Sequence, residues 1–209
     1  LPQLLSLATL GSGFDLLFYD QRGGGRSKTD DPTPVTVDLH LRDFAAVTAE
    51  RGVQGAALAG YSWGALLAMH VAIAARRGTH GIALPPWLML ISPAPYLPPD
   101  RAAFEGELNR RQLSAEVAGL RAELQASGLR ERDPEAYRQR AFELSVAGYF
   151  AHPGRAANLT PFRVTGRVQQ STWASVDGAA VLDALPLVQV PALVVHGDGF
   201  DEIAVSGAT

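Results

Sequence analysis

A serine between two glycines is the clearest chemical signal in the sequence. Ser62 lies at the centre of a Gly-x-Ser-x-Gly pentapeptide, with an apolar run before it and an Ala/Leu-rich segment after it. This order predicts a strand, a sharp turn and a helix, with the serine hydroxyl held in strained backbone above the strand end. Side chains in place of Gly60 or Gly64 are expected to collide with the neighbouring strand and helix. Ser62 is therefore the candidate nucleophile, and the Trp63 backbone N–H is the candidate oxyanion donor.

A serine hydroxyl becomes nucleophilic when an imidazole takes its proton and a carboxylate holds that imidazole in place. Two acids near the end of the chain, Asp198 and Asp201, are candidates for the carboxylate because they follow a short apolar strand candidate. The predicted chemistry is acyl transfer through an ester on Ser62.

The base is harder to assign among the five histidines. The sequence predicts that His40 faces solvent from a helix, that His70 points away from the serine turn and that His80 lies at the far end of the sheet. His196 is expected to bond to backbone. His152 is the one candidate to test as a base, although a solvated loop position is the simpler expectation.

Short apolar runs alternate with helical patterns, which predicts a mostly parallel sheet with helices on both faces, an α/β fold. The predicted strands are 15–19, 56–60, 86–91 and 191–195, and the predicted helices are 2–10, 37–52, 63–77 and 177–185.

The alternation of strand and helix patterns stops at Pro98. From Pro98 to Val176 the chain is rich in Arg and Glu and has a helical pattern. We expect a core at 1–97, an inserted helical cap at 98–176 and the continuation of the core at 177–209. Such a cap is expected over the carboxyl ends of the strands, where open α/β sheets bind ligands. Its acidic residues are expected to pair with nearby arginines on solvated helix faces.

Three successive glycines, 23–25, follow the first strand candidate. Their spacing fits neither the dinucleotide fingerprint nor the P-loop, so a nucleotide site is not expected. We expect a turn that passes close to the floor of the active site, with Asp20 and Arg22 holding it by hydrogen bonds.

Composition narrows the class of protein. The 209 residues are 47% hydrophobic and carry a net charge of −3, which offers no basic footprint for nucleic acid. No apolar run reaches the ~20 residues of a membrane span, and the Leu-rich start lacks the basic region of a signal peptide. Without cysteine there is neither a disulfide nor a thiolate metal site. We expect a cytoplasmic protein that binds neither nucleic acid nor membrane.

Three stretches together resemble the proline iminopeptidase family of α/β-hydrolases. Residues 19–27 (YDQRGGGRS) resemble its YDQRGxGxS turn, 60–64 (GYSWG) its GxSWG elbow, and 194–203 the strand and turn that deliver the triad aspartate. The resemblance implies an α/β-hydrolase fold with a helical cap, a serine peptidase that releases N-terminal residues, and no metal or organic cofactor. It favours Asp201 over Asp198, because the Asp-Glu-Ile continuation matches the family.

The chain also departs from that family. The HGGPG oxyanion loop and the histidine that follows the triad acid have no counterpart in these 209 residues. Asp201 lies one residue later than the family spacing, and 141–148 lacks the family's cap tryptophans. Because the two missing pieces belong at the ends, we expect a segment of a longer enzyme, incomplete at both ends.

The leading hypothesis is a serine aminopeptidase that acts on small peptides or amides. An esterase or lactonase on the same fold is one alternative, since the fold does not set the acyl substrate. A binding protein that kept the scaffold and lost catalysis is the other. The sequence carries no signal for the oligomeric state.

Overall fold

The computed structural model describes residues 13–158 and 165–197, which belong to two compact units. The sheet unit contains residues 17–98 and 165–197 and includes Ser62. The helical unit contains residues 13–16 and 99–158 of the described chain. The helix predicted at 2–10 and the two candidate acids, Asp198 and Asp201, lie outside the described residues.

Helices and strands alternate in the sheet unit, whereas the described part of 99–158 consists of helices and turns. In chain order the elements are α1 Val37–Glu50, β1 Leu58–Tyr61, α2 Trp63–Arg76, β2 Leu88–Ile91, α3 Pro98–Gln112, α4 Ala115–Ala126, α5 Leu129–Arg132, α6 Pro134–Ser145, α7 Gly166–Ala174, α8 Gly178–Ala184 and β3 Ala192–Val195. Short 3-10 helices lie at Thr79–Gly81, Ala147–Tyr149, Pro153–Asn158 and Leu185–Leu187.

The three strands pair in parallel in the order β1-β2-β3. The register places Tyr61 opposite Ile91 and Ile91 opposite Val195, so all three strands end at one edge of the sheet. Parallel neighbours need long crossover connections, which the intervening helices provide. The strands predicted at 56–60, 86–91 and 191–195 are confirmed, with ends that differ by at most two residues.

The strand predicted at 15–19 is wrong, because residues 14–20 form no strand in the structure. A β-strand exists through hydrogen bonds to a neighbouring strand, and none of the described strands pairs with this segment. Its first apolar side chains are exposed: 66% of Phe14 and 48% each of Leu16 and Leu17 face solvent, whereas Phe18 and Tyr19 are half-buried. The run is apolar, but no strand in the described part of the chain pairs with it.

Helix α2 is the centre of the core in the sheet unit. It is apolar on nearly every face, with nine buried residues between Ala65 and Ala74. One side packs on β2 and α8, where Ala72 meets the cluster of Leu88 and Val181. The other side packs on α1, with Val71 in one cluster with Leu41. A helix covered on two sides needs no polar face, which explains its Ala/Leu-rich sequence.

The helix ends follow their sequence signals. The Thr36 hydroxyl accepts the Leu39 N–H and caps α1, and Gly52 after its end has a left-handed φ of 65°. Gly78, with φ 67°, follows the end of α2. Asp177 caps α8 by accepting the Ala180 N–H. Of the four helices predicted for the core, those at 37–52, 63–77 and 177–185 are confirmed.

Helix α6 of the helical unit begins at Asp133-Pro134, and the Asp133 carboxylate accepts the Ala136 N–H. The small core of this unit contains Val117, Ala147 and Ala156, all fully buried. Several of its acids pair with arginines three or four residues away on the same helix, as expected, but the carboxylates of Glu107 and Glu143 are largely buried rather than solvated. These pairs are Arg101–Glu105, Arg110–Glu107, Arg111–Glu107 and Arg140–Glu143.

Among the described residues, no helix is both long enough and apolar enough to cross a membrane.

Candidate active site

The site is built around the turn between β1 and α2. Ser62 follows the last residue of β1 and has φ 54° and ψ −118°, a backbone conformation that a non-glycine residue rarely adopts. Its N–H donates to the Ile91 carbonyl at 2.9 Å, and its own carbonyl accepts the Ala65 and Ala94 N–H groups. These bonds hold the serine in a strained conformation, so the predicted strand, sharp turn and helix are confirmed.

The two glycines of the pentapeptide play different parts. A Cβ at Gly60 would overlap the backbone of Gly64 and Ala65, so the close approach of β1 and α2 requires glycine there. The expectation for Gly64 was wrong, because a Cβ at that position meets no atom within 4 Å. The collision predicted for both positions therefore applies to Gly60 alone, where β1 lies against the backbone of the first turn of α2.

Backbone donors at the start of α2 are free to bind an anion. Among the described residues, the N–H groups of Trp63 and Gly64 have no hydrogen-bond acceptor. Free N–H groups and the positive end of the helix dipole together favour negative charge at this point. An oxyanion formed beside Ser62 would find such donors at the helix start.

The Trp63 side chain is held by three neighbours. Its indole N–H donates to the Gln21 side-chain oxygen at 2.9 Å. Its ring lies 5.4 Å from that of Trp173 in an edge-on arrangement and 5.8 Å from the His40 ring, centroid to centroid. The motifs that contain Gln21 and Trp63 are both visible in the sequence. No sequence signal predicted that these two side chains, or the rings of Trp63 and Trp173, are in contact.

Gln21 belongs to the glycine loop, residues 20–27, which is anchored on both sides of that glutamine. The Asp20 carboxylate accepts the Arg26 N–H at 3.0 Å, and this bond lowers the pKa of Asp20. Arg22 donates two hydrogen bonds, at 2.9 and 2.6 Å, to the carboxylate of Asp43 in α1. The predicted roles of Asp20 and Arg22 in holding the loop are confirmed, although Arg22 ties it to a helix rather than to itself.

Helix α7 fastens the other side of the glycine loop. The Gly23 carbonyl accepts both the N–H and the hydroxyl of Thr165, which precedes α7. Gly23 also lies against Val168, so that a Cβ there would come within 2.7 Å of the valine side chain. With φ 80°, Gly23 satisfies a tight turn and a close approach at once.

His40 is not solvent-facing, which corrects the sequence expectation. It is 4% exposed, and its Nε2 atom lies 3.2 Å from the Thr172 hydroxyl. That hydroxyl gives its one proton to the Val35 carbonyl, so Nε2 is the protonated nitrogen that donates to it. Burial lowers the pKa of His40 and favours the neutral ring. Helix α7, which supplies Thr172, covers the helix face that sequence alone left open.

The remaining histidines are placed as follows. His70 lies in α2, where its Nε2 is buried without a hydrogen-bond partner among the described residues, and burial lowers its pKa to about 4. His80 contacts the Asp38 carboxylate at 2.7 Å. His196 follows β3 and is exposed, as is His152 in the helical unit. Within the described part of the sheet unit, no histidine hydrogen bonds to Ser62.

Both candidate acids lie beyond the described residues, but the strand before them is in place. Ser92, directly after β2, donates its N–H to the Val195 carbonyl at 2.7 Å. The end of β3 therefore lies at the same edge as Ser62, with β2 between β1 and β3. Ser92 itself has φ 42° and is a second serine at this edge with a strained backbone. The sequence did not predict this conformation, because a residue before proline usually favours extended backbone.

In the described chain no group of His, Asp or Glu side chains is arranged to hold a metal ion.

Comparisons with known proteins agree with this architecture. The model of a family described as the alpha/beta hydrolase family matches residues 2–206. Among solved structures, the chain is similar to a hydrolase from Pseudomonas aeruginosa PA01, with 21% sequence identity and a TM-score of 0.52. The match covers 93% of this chain and 65% of the hydrolase chain, so it spans under two thirds of that protein's length. At this identity the likeness shows the fold alone. No curated relative matches the sequence.

Proposed function

The chain belongs to the alpha/beta hydrolase family, and on that footing we propose that it is a serine hydrolase that works through an acyl-enzyme on Ser62. The observation that carries the proposal is the backbone of Ser62, whose φ of 54° holds this half-buried serine at the carboxyl edge of a parallel sheet, directly before a helix start. Strain of this kind costs ~1–3 kcal/mol and clusters at functional sites.

The reaction divides into two acyl transfers. In the first, an imidazole takes the Ser62 proton while the Ser62 oxygen attacks the substrate carbonyl, and the resulting oxyanion is bound by the Trp63 N–H. The C–N or C–O bond then breaks, and the leaving group takes the proton from the imidazole. In the second, water attacks the ester, and the same proton transfers return the free serine and the acid product. Asp201, or less favourably Asp198, is the proposed carboxylate that holds the imidazole.

For the substrate we propose a small peptide or amide that loses its N-terminal residue. The support is the resemblance of residues 19–27 to the proline iminopeptidase turn, a longer pattern than the elbow. The contact between Gln21 of that turn and Trp63 of the elbow adds to this support, because it links the two motifs in space.

An ester or lactone is the second candidate substrate, and one contact favours it. Release of an N-terminal residue calls for a carboxylate that binds the substrate ammonium, and Glu143 lies in the segment nearest the family's pattern. Glu143 is 7% exposed and already accepts hydrogen bonds from Arg140 and Gln139, both at 2.9 Å. Because the Arg140 guanidinium already neutralises this carboxylate, its attraction for a substrate ammonium group is weak.

A substrate panel separates the two candidates. The protein as its gene encodes it is assayed with proline, alanine and leucine arylamides and with short p-nitrophenyl esters, alongside Ser62→Ala. We expect arylamide cleavage that the alanine variant abolishes. Ester turnover without arylamide cleavage would replace the peptidase proposal by the esterase one, and turnover that survives in Ser62→Ala would exclude both.

A further inference from the structure

Gln21 has a place in the elbow that the motif does not assign to it. Its side-chain oxygen accepts the indole N–H of Trp63 at 2.9 Å. Trp63 is the residue directly after Ser62, and its backbone N–H is the proposed oxyanion donor. The same residue therefore presents its backbone to the reaction and its side chain to Gln21.

The support behind Gln21 is rigid. Its own carbonyl accepts the Gly24 N–H at 2.9 Å, and the neighbouring Arg22 is held by two bonds to Asp43. On the preceding side, Asp20 accepts the Arg26 N–H. Gln21 thus extends from a loop that is fixed at the residue before it and at the residue after it.

Trp63 has little freedom beyond that bond. Trp173 lies edge-on to its ring at 5.4 Å, and the buried His40 lies at 5.8 Å. With an acceptor at the indole nitrogen and rings on two sides, rotation of the side chain is restricted. Because an oxyanion donor must be held within about 0.5 Å of its productive position, a restraint on the side chain of the same residue bears on the reaction rate.

We propose that Gln21 is a positioning residue for the oxyanion donor, which it holds in place through the Trp63 indole. It touches neither substrate nor reacting atoms. The proposal rests on the proposed function, because it concerns the rate of a reaction at Ser62.

Kinetics test the proposal with the natural full-length protein. Gln21→Met keeps the length of the side chain and removes the acceptor, and it should lower kcat about tenfold while KM changes less than twofold. This is a fraction of the 10²–10³ lost when an oxyanion donor is removed outright. Gln21→Glu retains an acceptor and should recover most of the rate. Affinity for a boronate transition-state analogue should fall by the same factor as kcat.

A double-mutant cycle identifies the route. Trp63→Phe removes the indole donor and keeps the backbone N–H, so adding Gln21→Met to it should cause no further loss. Arg76→Met is the matched control, because it breaks another side-chain bond in the sheet unit, to the Gln189 carbonyl, at the opposite end of α2 from Trp63. It should leave kcat unchanged. Equal losses in Gln21→Met and Arg76→Met, or additive losses in the cycle, would overturn the proposal.

Hydrogen exchange separates failure of this proposal from failure of the proposed function. In Gln21→Met the Trp63 indole N–H should exchange at least tenfold faster because it loses its acceptor, while amides in the middle of α2 keep their protection. If the natural protein hydrolyses no substrate, the proposed function fails, and exchange alone then decides whether Gln21 restrains Trp63. Unchanged exchange at Trp63 would refute that restraint whatever the activity.

Discussion

At Gly60 an added Cβ would overlap the backbone of Gly64, whereas at Gly64 the space is open. The two glycines are equivalent in the pentapeptide pattern, but their surroundings in the structure differ. Only the first is required by the close approach of β1 to α2. The asymmetry gives a matched pair of variants within five residues of sequence.

Gly60→Ala should lower the free energy of unfolding by about 1–3 kcal/mol, because the backbone must move to admit the methyl group. Gly64→Ala should be neutral or stabilise by up to about 1 kcal/mol, since alanine is favoured in a helix. Thermal and urea unfolding of both variants measure the difference. Equal destabilisation by the two would contradict the geometry.

His70 makes stability depend on pH. Burial lowers the pKa of its imidazole from 6.5 to about 4, so the unfolded chain binds a proton that the folded protein excludes. The free energy of unfolding is therefore not reduced by His70 above pH 6.5, and it falls as the pH drops from 6.5 towards 4. The full loss is roughly 3 kcal/mol, from 1.36 kcal/mol per pKa unit.

His70→Leu removes this titration and should flatten the loss of stability between pH 6.5 and 4. Urea unfolding of both proteins at pH 7, 5.5 and 4.5 gives the comparison, because other titrating groups are common to them. Parallel pH profiles for the wild type and the variant would show that His70 is hydrated rather than buried.

Among the elements, α7 links parts of the sheet unit that are distant in sequence. Its Ser171 hydroxyl accepts the Val35 N–H, and its Thr172 hydroxyl joins the Val35 carbonyl to His40. These bonds hold the residues that precede α1. Thr165, directly before α7, holds the glycine loop.

Thr172→Val should cost about 1–3 kcal/mol, because two buried polar groups lose their partner while the shape of the side chain is kept. Thr48→Val is the matched control. Its hydroxyl donates only to carbonyls of its own helix, at Phe44 and Ala45, so its loss should cost less than 0.5 kcal/mol. Chemical unfolding compares them, and a similar cost for both would refute the linking role of Thr172.

Sequence reasoning succeeded where structure follows from neighbours in the chain. The short apolar runs and the helical patterns between them identified the strands and helices around Ser62 because each signal is local. It failed for His40, whose partner Thr172 lies 132 residues away. It failed for 15–19 for the same reason, since an apolar run becomes a strand only when another strand pairs with it.

At the scale of the whole molecule, the match of the alpha/beta hydrolase family to residues 2–206 agrees with the parallel sheet and the helices between its strands. The proposed activity further requires that the Ser62 hydroxyl is activated. An activated serine distinguishes a hydrolase from a protein that kept the scaffold and only binds.

Covalent labelling of Ser62 tests this claim most directly. The natural full-length protein is treated with a fluorophosphonate, and the modified peptide is identified by mass spectrometry, with Ser62→Ala and heat-denatured protein as controls. We predict rapid labelling of Ser62 that is absent from both controls. Labelling no faster than that of the denatured protein would contradict it, because an unactivated serine does not react quickly with this probe.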